Sequence, residues 1–334
     1  MVMLSTVTKA NESVDCTGQR AVVAGATQGI GAGVALRFAL AGASVWIVGR
    51  SEERANGVLE KLRMASAEAH RRKSASGKSQ APDDHTFFQA DLSKTEEVQR
   101  VAGAIADKAG EGGVDWLVMT QGGPPTGVLK PKASPASPEG GFAVGVFSRF
   151  GLAYILTQRN VVTKGICNVS APAQGGKKPL DVDDLDLTKA KARGDLFGGW
   201  LSIPTQGMIG SSVLDSVTQT LAERNPNLVV SHLFPGINGT DAVSNQGFPS
   251  ILAWGSKLAT SLGLLYKPEP GSYPEVPFYL HANPEANSRV RKGEANLFGP
   301  TLKRYEPISP NVQDPAVRAK VWSKLESYLE AAGS

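Results

Sequence analysis

The sequence predicts an α/β fold, a doubly wound parallel sheet with helices on both faces. Three observations carry this. Short apolar runs, several rich in β-branched residues, recur along the chain and are too brief for helices. Longer segments of helical character separate them, and strands alternating with helices imply parallel pairing through crossovers. A glycine-rich turn joins the first apolar run to the first helix.

In chain order, residues 1–17 read as a flexible arm ahead of one domain spanning 18–334. The first strand runs to Ala24, and the first helix to about Leu40 with Val34, Ala35, Phe38 and Ala39 as its apolar face. A second strand covers 43–49, and a polar helix covers 52–72 and runs into the basic, small-residue stretch 73–79, which reads as a solvated loop. The third strand, 85–90, closes on Asp91-Leu92; a helix at 94–109 and a fourth strand at 114–120 follow. A proline-rich loop, 124–138, leads to a long helix from 142 to about 160 and a fifth strand at 165–170. The acidic run 181–186 lacks the turn glycine and distal glutamate of a calcium loop and reads as solvated. A helix at 207–224 and a sixth strand at 228–233 complete the alternating pattern. Residues 248–266 have a helical apolar side, expected as part of a substrate lid over about 241–270 or as a contact between copies of the chain. Asp314 and Pro315 start a final helix, 314–332, with Val317, Val321, Leu325 and Leu329 on one face.

With 334 residues, 41% hydrophobic and 20% charged, the chain can bury a large core and is not broadly disordered. A net charge of +4 does not by itself point to nucleic acid, and none is expected as a partner. Cys16 and Cys167 stand far apart and form no disulfide or metal pattern, so no metal is expected. No uninterrupted apolar run approaches the ~20 residues of a membrane span, and residues 1–14 lack the pattern of a secretory leader. The expectation is a soluble cytoplasmic protein without stable membrane insertion.

The glycine turn carries the first functional signal. Gly25, Gly29 and Gly31 are spaced G-x-x-x-G-x-G between a buried strand and a helix start. Such glycines allow a tight turn and let a dinucleotide pyrophosphate approach the helix N-terminus, where free N–H groups and the helix dipole hold it. The second strand ends in Gly49-Arg50-Ser51, where NAD-binding folds place an acid on the ribose hydroxyl. An arginine there accepts a 2′-phosphate, which favours NADP(H). Asp91 can meet the adenine amino group or cap the next helix.

These residues resemble the short-chain dehydrogenase/reductase family over about Gly18 to Thr240. Gly25-x-x-x-Gly29-Ile30-Gly31 resembles its TGxxxGIG cofactor turn, with Ala24 where threonine is usual. Asp91-Leu92 matches the adenine-contacting pair, Met119-Thr120-Gln121-Gly122 stands where the family has NNAG, and Pro235-Gly236 with Thr240 matches the turn over the nicotinamide amide. The resemblance implies a Rossmann-type fold and a small-molecule substrate. It implies that NADP(H) is held by Gly25, Thr27, Gln28, Gly29, Ile30 and Gly31, by Arg50, Ser51, Asp91 and Leu92, and by Gln121, Gly122, Pro235, Gly236 and Thr240. Residues 225–236 resemble a divergent fungal branch that often lacks the catalytic Y-x-x-x-K motif, with several members among natural-product pathways.

The chemistry half departs from the pattern. The family's catalytic serine falls at Ala171, its tyrosine at Gly207, its lysine at Ser211 and its helix asparagine near Gly145. Ser170 lies one residue early and faces away from the position of Ala171 unless a bulge intervenes. Substitutes for the proton path are Ser170 and Gln206, then Tyr154, which reads as core, and His232, which reads as a satisfied interior histidine. Two function classes remain. One is an NADP(H)-dependent oxidoreductase with a non-standard proton path, acting on a carbonyl, imine or alcohol. The other is an NADP binder without redox chemistry, such as a cyclase, an isomerase or a regulatory protein.

Overall fold

The computed structural model describes residues 3–74, 84–196, 198–236, 266–307 and 309–333. Seven strands are present among them: β1 (Arg20–Ala24), β2 (Ser44–Gly49), β3 (Thr86–Gln89), β4 (Val114–Met119), β5 (Val162–Val169), β6 (Val229–Leu233) and β7 (Asn296–Phe298). They form one sheet in the order β3-β2-β1-β4-β5-β6-β7, every neighbouring pair parallel. The chain turns back on itself between β1 and β4, the point where such sheets open a crevice at their strand ends.

Side chains alternate across the sheet. Val22, Ala24, Leu117 and Met119 enter one core with α4 (Thr95–Ala109), α5 (Gly140–Gln158), α7 (Ile203–Arg224) and α10 (Pro315–Gly333). Ala21, Val23, Trp116 and Val118 enter the other with α1 (Leu4–Asn11), α2 (Gly29–Leu40), α3 (Glu52–Ser74) and α8 (Glu275–Ala282). This two-sided burial explains the nearly continuous apolar strands. Two short helices, α6 (Thr188–Arg193) and α9 (Pro310–Gln313), lie in the connections. Asp314 Oδ1 accepts the Ala316 N–H at 2.8 Å, so the final helix starts as the sequence implies.

Four differences from the sequence reading stand out. The expected arm contains α1, whose Val7 and Asn11 are buried. Asn11 Nδ2 donates to Glu275 Oε2 at 2.7 Å, Arg37 donates to the same oxygen at 2.8 Å, and Arg37 also donates to the Asn11 carbonyl at 2.6 Å. Those partners are distant in sequence, so local pattern does not reveal them. The acidic run is solvated only in part, with Asp181 and Asp183 exposed and Asp184 and Asp186 buried. Asp184 accepts the Lys189 and Ala190 N–H groups, and Asp186 accepts from Glu139 and Thr188. β7 and α8 lack a sequence signal because each is short. Gly140–Gln158 is, among the described residues, a helix long and apolar enough to cross a membrane, and most of its apolar window is buried in the fold. The expected lid helix, 248–266, lies almost wholly outside the described residues.

His281, at the end of α8, is half-buried with its Nε2 2.7 Å from the Ser231 hydroxyl. Burial lowers its pKa from 6.5 to about 4. As pH falls, the unfolded chain takes up this proton near 6.5 but the folded chain does not until about 4. Stability present above pH 6.5 is therefore lost between those values, by about 3 kcal/mol in total. Urea unfolding at about pH 7 and about pH 4.5 should show this loss in the wild type and a smaller pH dependence in His281→Asn; equal dependence would refute the assignment.

Candidate nucleotide and active site

The site starts where β1 and β4 end. Gly25 has φ +78°, and a Cβ there would lie 2.6 Å from the Gln121 nitrogen. A Cβ at Gly31 would lie 2.4 Å from Thr120 Oγ1 and 2.5 Å from the Gly25 carbonyl. The Thr120 hydroxyl donates to the Ala24 carbonyl at 2.9 Å and holds the two strand ends together. Thr27 lies under Gly49, whose Cβ would meet its methyl at 2.5 Å. α2 begins at Gly29 with Ile30 in its first turn, and Gln28 at the cap position gives it no side-chain hydrogen bond. The first N–H groups of this helix are therefore left without a side-chain cap. An uncapped helix start against a turn with no room for a Cβ fits a dinucleotide pyrophosphate.

At the end of β2, Arg50 is exposed and its guanidinium has no partner among the described residues. Its carbonyl accepts from Gln89 Nε2 at 3.0 Å. Arg50, Gln89, Ala90, Asp91, Glu97 and Arg100 line a cleft of about 320 Å³. Ser51 Oγ accepts the Arg54 N–H, and Arg54 donates to Gln28 Oε1 at 2.6 Å. Arg54 thus ties the first turn of α3 to the cap of α2, a cation that the sequence reading passed over. Its signal is its spacing, one helical turn beyond Arg50. Asp91 Oδ1 accepts from the Ser93 N–H and hydroxyl, so it caps the turn into α4; Leu92 is buried in the core.

Past β4, Gln121 is buried and donates from Nε2 to Ser148 Oγ at 3.0 Å. The Ser148 hydroxyl gives its one proton to the Val144 carbonyl, which fixes the orientation of the glutamine amide. Gln121 Oε1 is left buried with no hydrogen-bond partner. A ligand hydroxyl fits this orphaned acceptor. Gly122 follows with φ +100°. Next to Ser148, Arg149 donates to the carbonyls of Met119 (2.5 Å), Gln121 (2.6 Å) and Val169 (3.0 Å), joining the ends of β4 and β5. Both residues follow a π-helical turn, Ala143–Phe147, of the kind that interrupts helices at functional sites. The sequence sign of Arg149 was a lone charge in an otherwise apolar helix.

The other wall is α7. Gly207, Ser211 and Asp215 recur every four residues and form one stripe on it. Among the described residues a Cβ at Gly207 would meet only Pro125, at 3.7 Å, so their packing does not demand glycine there. Ser211 Oγ accepts the Gln174 N–H at 2.9 Å, and Asp215 Oδ2 accepts the Ala173 N–H at 2.8 Å. Asp215 Oδ1 lies 2.7 Å from His232 Nδ1, with both side chains buried. His232 is thus paired on one side only, since its Nε2 is buried and unpartnered. Tyr154 stacks on Phe150 in the core, as expected, and burial is the main cause raising its pKa.

Ser170 keeps the ladder, donating its N–H to the Leu233 carbonyl at 2.9 Å, so no bulge separates it from β5. Asn168, two residues earlier, bonds Thr218 on α7, and strand alternation puts Ser170 on that same α7 side. Its hydroxyl has no partner among the described residues. Gln206 is engaged elsewhere: its Oε1 accepts the Gly127 N–H at 3.2 Å and ties the proline-rich loop to α7. Pro235 and Gly236 follow β6, with Gly236 at φ +71° against the Tyr266 ring. Thr240 lies outside the described residues.

The turn makes a direct prediction. Gly31→Ala drives a methyl into Thr120 and the Gly25 carbonyl and should cost about 1–3 kcal/mol of stability. It should also weaken NADPH binding at least ~10-fold by calorimetry. Unchanged affinity would show that the turn does not touch the cofactor.

Residues 19–158 match the short chain dehydrogenase family. Over 105 residues the chain is 37% identical to glucose 1-dehydrogenase of Gluconobacter oxydans, a match covering 31% of this chain and 33% of that enzyme's length. Among solved structures, an uncharacterized protein of Mycobacterium paratuberculosis aligns over 96% of this chain and 97% of its own, with TM-score 0.60 and 16% identity. A variant of actinorhodin polyketide ketoreductase, crystallised with NADPH, aligns over 91% of this chain and all of its own, with TM-score 0.54 and 19% identity. At such identities these structures show a shared fold. Residues 19–158, which hold the glycine turn, Arg50 and the Asp91-Leu92 pair, are thus the part of the chain that matches the short chain dehydrogenase family.

Proposed function

We propose that this protein is an NADP(H)-dependent oxidoreductase acting on a small organic carbonyl, imine or alcohol. The observation that carries the reading is the cleft at the ends of β2 and β3, where Arg50, its guanidinium unpaired among the described residues, stands at an end of β2 that carries no acid. Arginine forks suit a 2′-phosphate, and an acid there would repel it. The uncapped start of α2 at Gly29-Ile30-Gly31 takes the pyrophosphate, Asp91 with its second oxygen takes the adenine edge, and Gln121 Oε1 accepts a ribose hydroxyl. Thr27 and Gln28 shape the turn, Pro235, Gly236 and Thr240 enclose the nicotinamide end, and Ser51 with Leu92 and Gly122 completes the wall. When bound, the cofactor supplies or accepts a hydride. Ser170 then positions the substrate oxygen from the end of β5, and water completes the proton transfer, since no tyrosine stands on α7. Gln206 acts by holding the loop that covers this space.

A second reading is an NADP binder without redox chemistry. Gly207 and Ala171 favour it, because neither carries a titratable group, as does Ser211, whose hydroxyl is committed to Gln174. Melting curves with NADPH and a turnover panel of carbonyls and imines separate the two: stabilisation with turnover supports the oxidoreductase, and stabilisation alone supports the binder. The 2′-phosphate assignment predicts that Arg50→Ala loses about 1.5–3 kcal/mol of NADPH binding, roughly 10- to 100-fold, with NADH nearly unchanged. Equal losses for both cofactors would sink it.

A further inference from the structure

We propose that the substrate carries its reacting group on an extended apolar body, and that Val128, Leu201 and Met208 form the surface on which that body lies. This rests on the oxidoreductase reading and names the substrate class of the same crevice.

Among the described residues five large hydrophobic side chains are exposed: Met3, Met64, Val128, Leu201 and Met208. Three of them meet at one place. Val128, 61% exposed, lies in the proline-rich loop after β4. Leu201, 73% exposed, lies in the turn Gly199–Ser202 that leads into α7, and Met208, 40% exposed, lies on α7 itself. Backbone contacts clamp the loop to the helix start. A Cβ at Gly127 would collide with the Gly199 carbonyl, Ser202 Oγ lies 2.7 Å from the Gly127 carbonyl, and the Gly127 N–H donates to Gln206 at 3.2 Å. Val128 and Leu201 are the chain neighbours of Gly127 and Ser202, so the clamp brings both to the same contact. Pro204, also exposed, shares a face of α7 with Met208, four residues on. On its other side Met208 reaches the turn after β5, where a Cβ at Gly176 would lie 3.3 Å from its sulfur. The patch therefore spans the mouth between the loops that leave β4 and β5, and Ser170 opens the second of these loops.

The walls of this mouth carry no charge in their sequence. Residues 120–129, 170–176 and 196–214 contain no Asp, Glu, Lys, Arg or His, in a chain of which 20% is charged; charge resumes at Lys130, Lys177 and Asp215. Such segments offer no ion pair to a phosphorylated or polycarboxylic substrate. A polyhydroxylated one would give up bonds to water there without replacement. An apolar body gains by leaving water. Size argues against a protein partner. Three side chains this exposed present on the order of 300 Å², well short of the ~800 Å² that each side of a stable protein interface covers. That area matches the flank of one small molecule held in a cleft lined mostly by apolar groups.

Equilibrium binding of methyl ketones to the NADP-loaded protein tests this, with the other arm of the ketone lengthened from ethyl to heptyl. The oxidised cofactor has no hydride to give, so binding is read without turnover. In the wild type each added methylene should tighten binding about 2- to 4-fold. Leu201→Ser and Met208→Ser should each bring that increment below ~1.5-fold. Both side chains are exposed, so neither change removes core packing. Met64→Ser, at a comparably exposed site on α3, should keep the wild-type increment. A flat series in the wild type overturns the inference, as does an increment that either mouth variant leaves unchanged, which would seat the alkyl arm elsewhere. So does a wild type that sediments as a dimer and becomes a monomer in Leu201→Ser, because the patch is then a contact between copies. If NADPH raises the melting temperature and the series is flat, this inference alone fails. If NADPH gives no stabilisation, the oxidoreductase reading fails with it.

Discussion

Everything near the site depends on how closely the ends of β1 and β4 approach. The distance leaves no room for a Cβ at Gly25 or Gly31, and one hydroxyl, that of Thr120, bridges the gap. This contact sets where α2 begins and which way its first N–H groups point. It also brings Gln121 beside the turn, so the uncapped start of α2 and the orphaned glutamine oxygen are parts of one constraint. Packing on the far side of α2 has the same character: a Cβ at Gly33 would lie 1.8 Å from the Pro268 carbonyl. The helix is held between the sheet and the returning chain by backbone contacts as well as by side chains.

Buried charge does the stapling elsewhere. Arg37 and Glu275, both nearly inaccessible, bind each other and Asn11, and so join α1, α2 and α8. Removing water from such a pair costs more than mutual attraction alone returns, unless further hydrogen bonds satisfy the remaining atoms. Here they do: Glu275 Oε1 accepts the Gly271 N–H, and the Arg37 guanidinium lies 4.0 Å over the Phe278 ring. Arg149 has no counter-ion among the described residues and joins strands rather than helices. Asp215 holds the turn after β5, where Ala173 adopts φ +57°. A left-handed non-glycine residue costs energy, and the carboxylate bond to its N–H offsets part of that cost.

These staples explain how the wall formed by α7 keeps its shape. Ser211 and Asp215, one helical turn apart, order it by binding two successive N–H groups, those of Gln174 and Ala173.

By itself the sequence determined the alternating elements, the parallel sheet, the glycine turn and the acid-free end of β2. Each is a local signal: periodicity, a turn that only glycine can make, or the identity of one side chain at a known offset. Tertiary structure alone decided what those signals could not carry. It turned the supposed arm into α1, because Glu275, which binds the Asn11 side chain, lies 264 residues away. It made cap acceptors of Asp184 and Asp186, gave Gln206 to Gly127, and paired His232 with Asp215. Polar side chains choose partners by proximity in space, and the sheet order that sets this proximity is absent from any local window. The glycine turn could be read from eighteen residues; the charge beside it, Arg149 on the carbonyls of two strands, existed only once the strands had met.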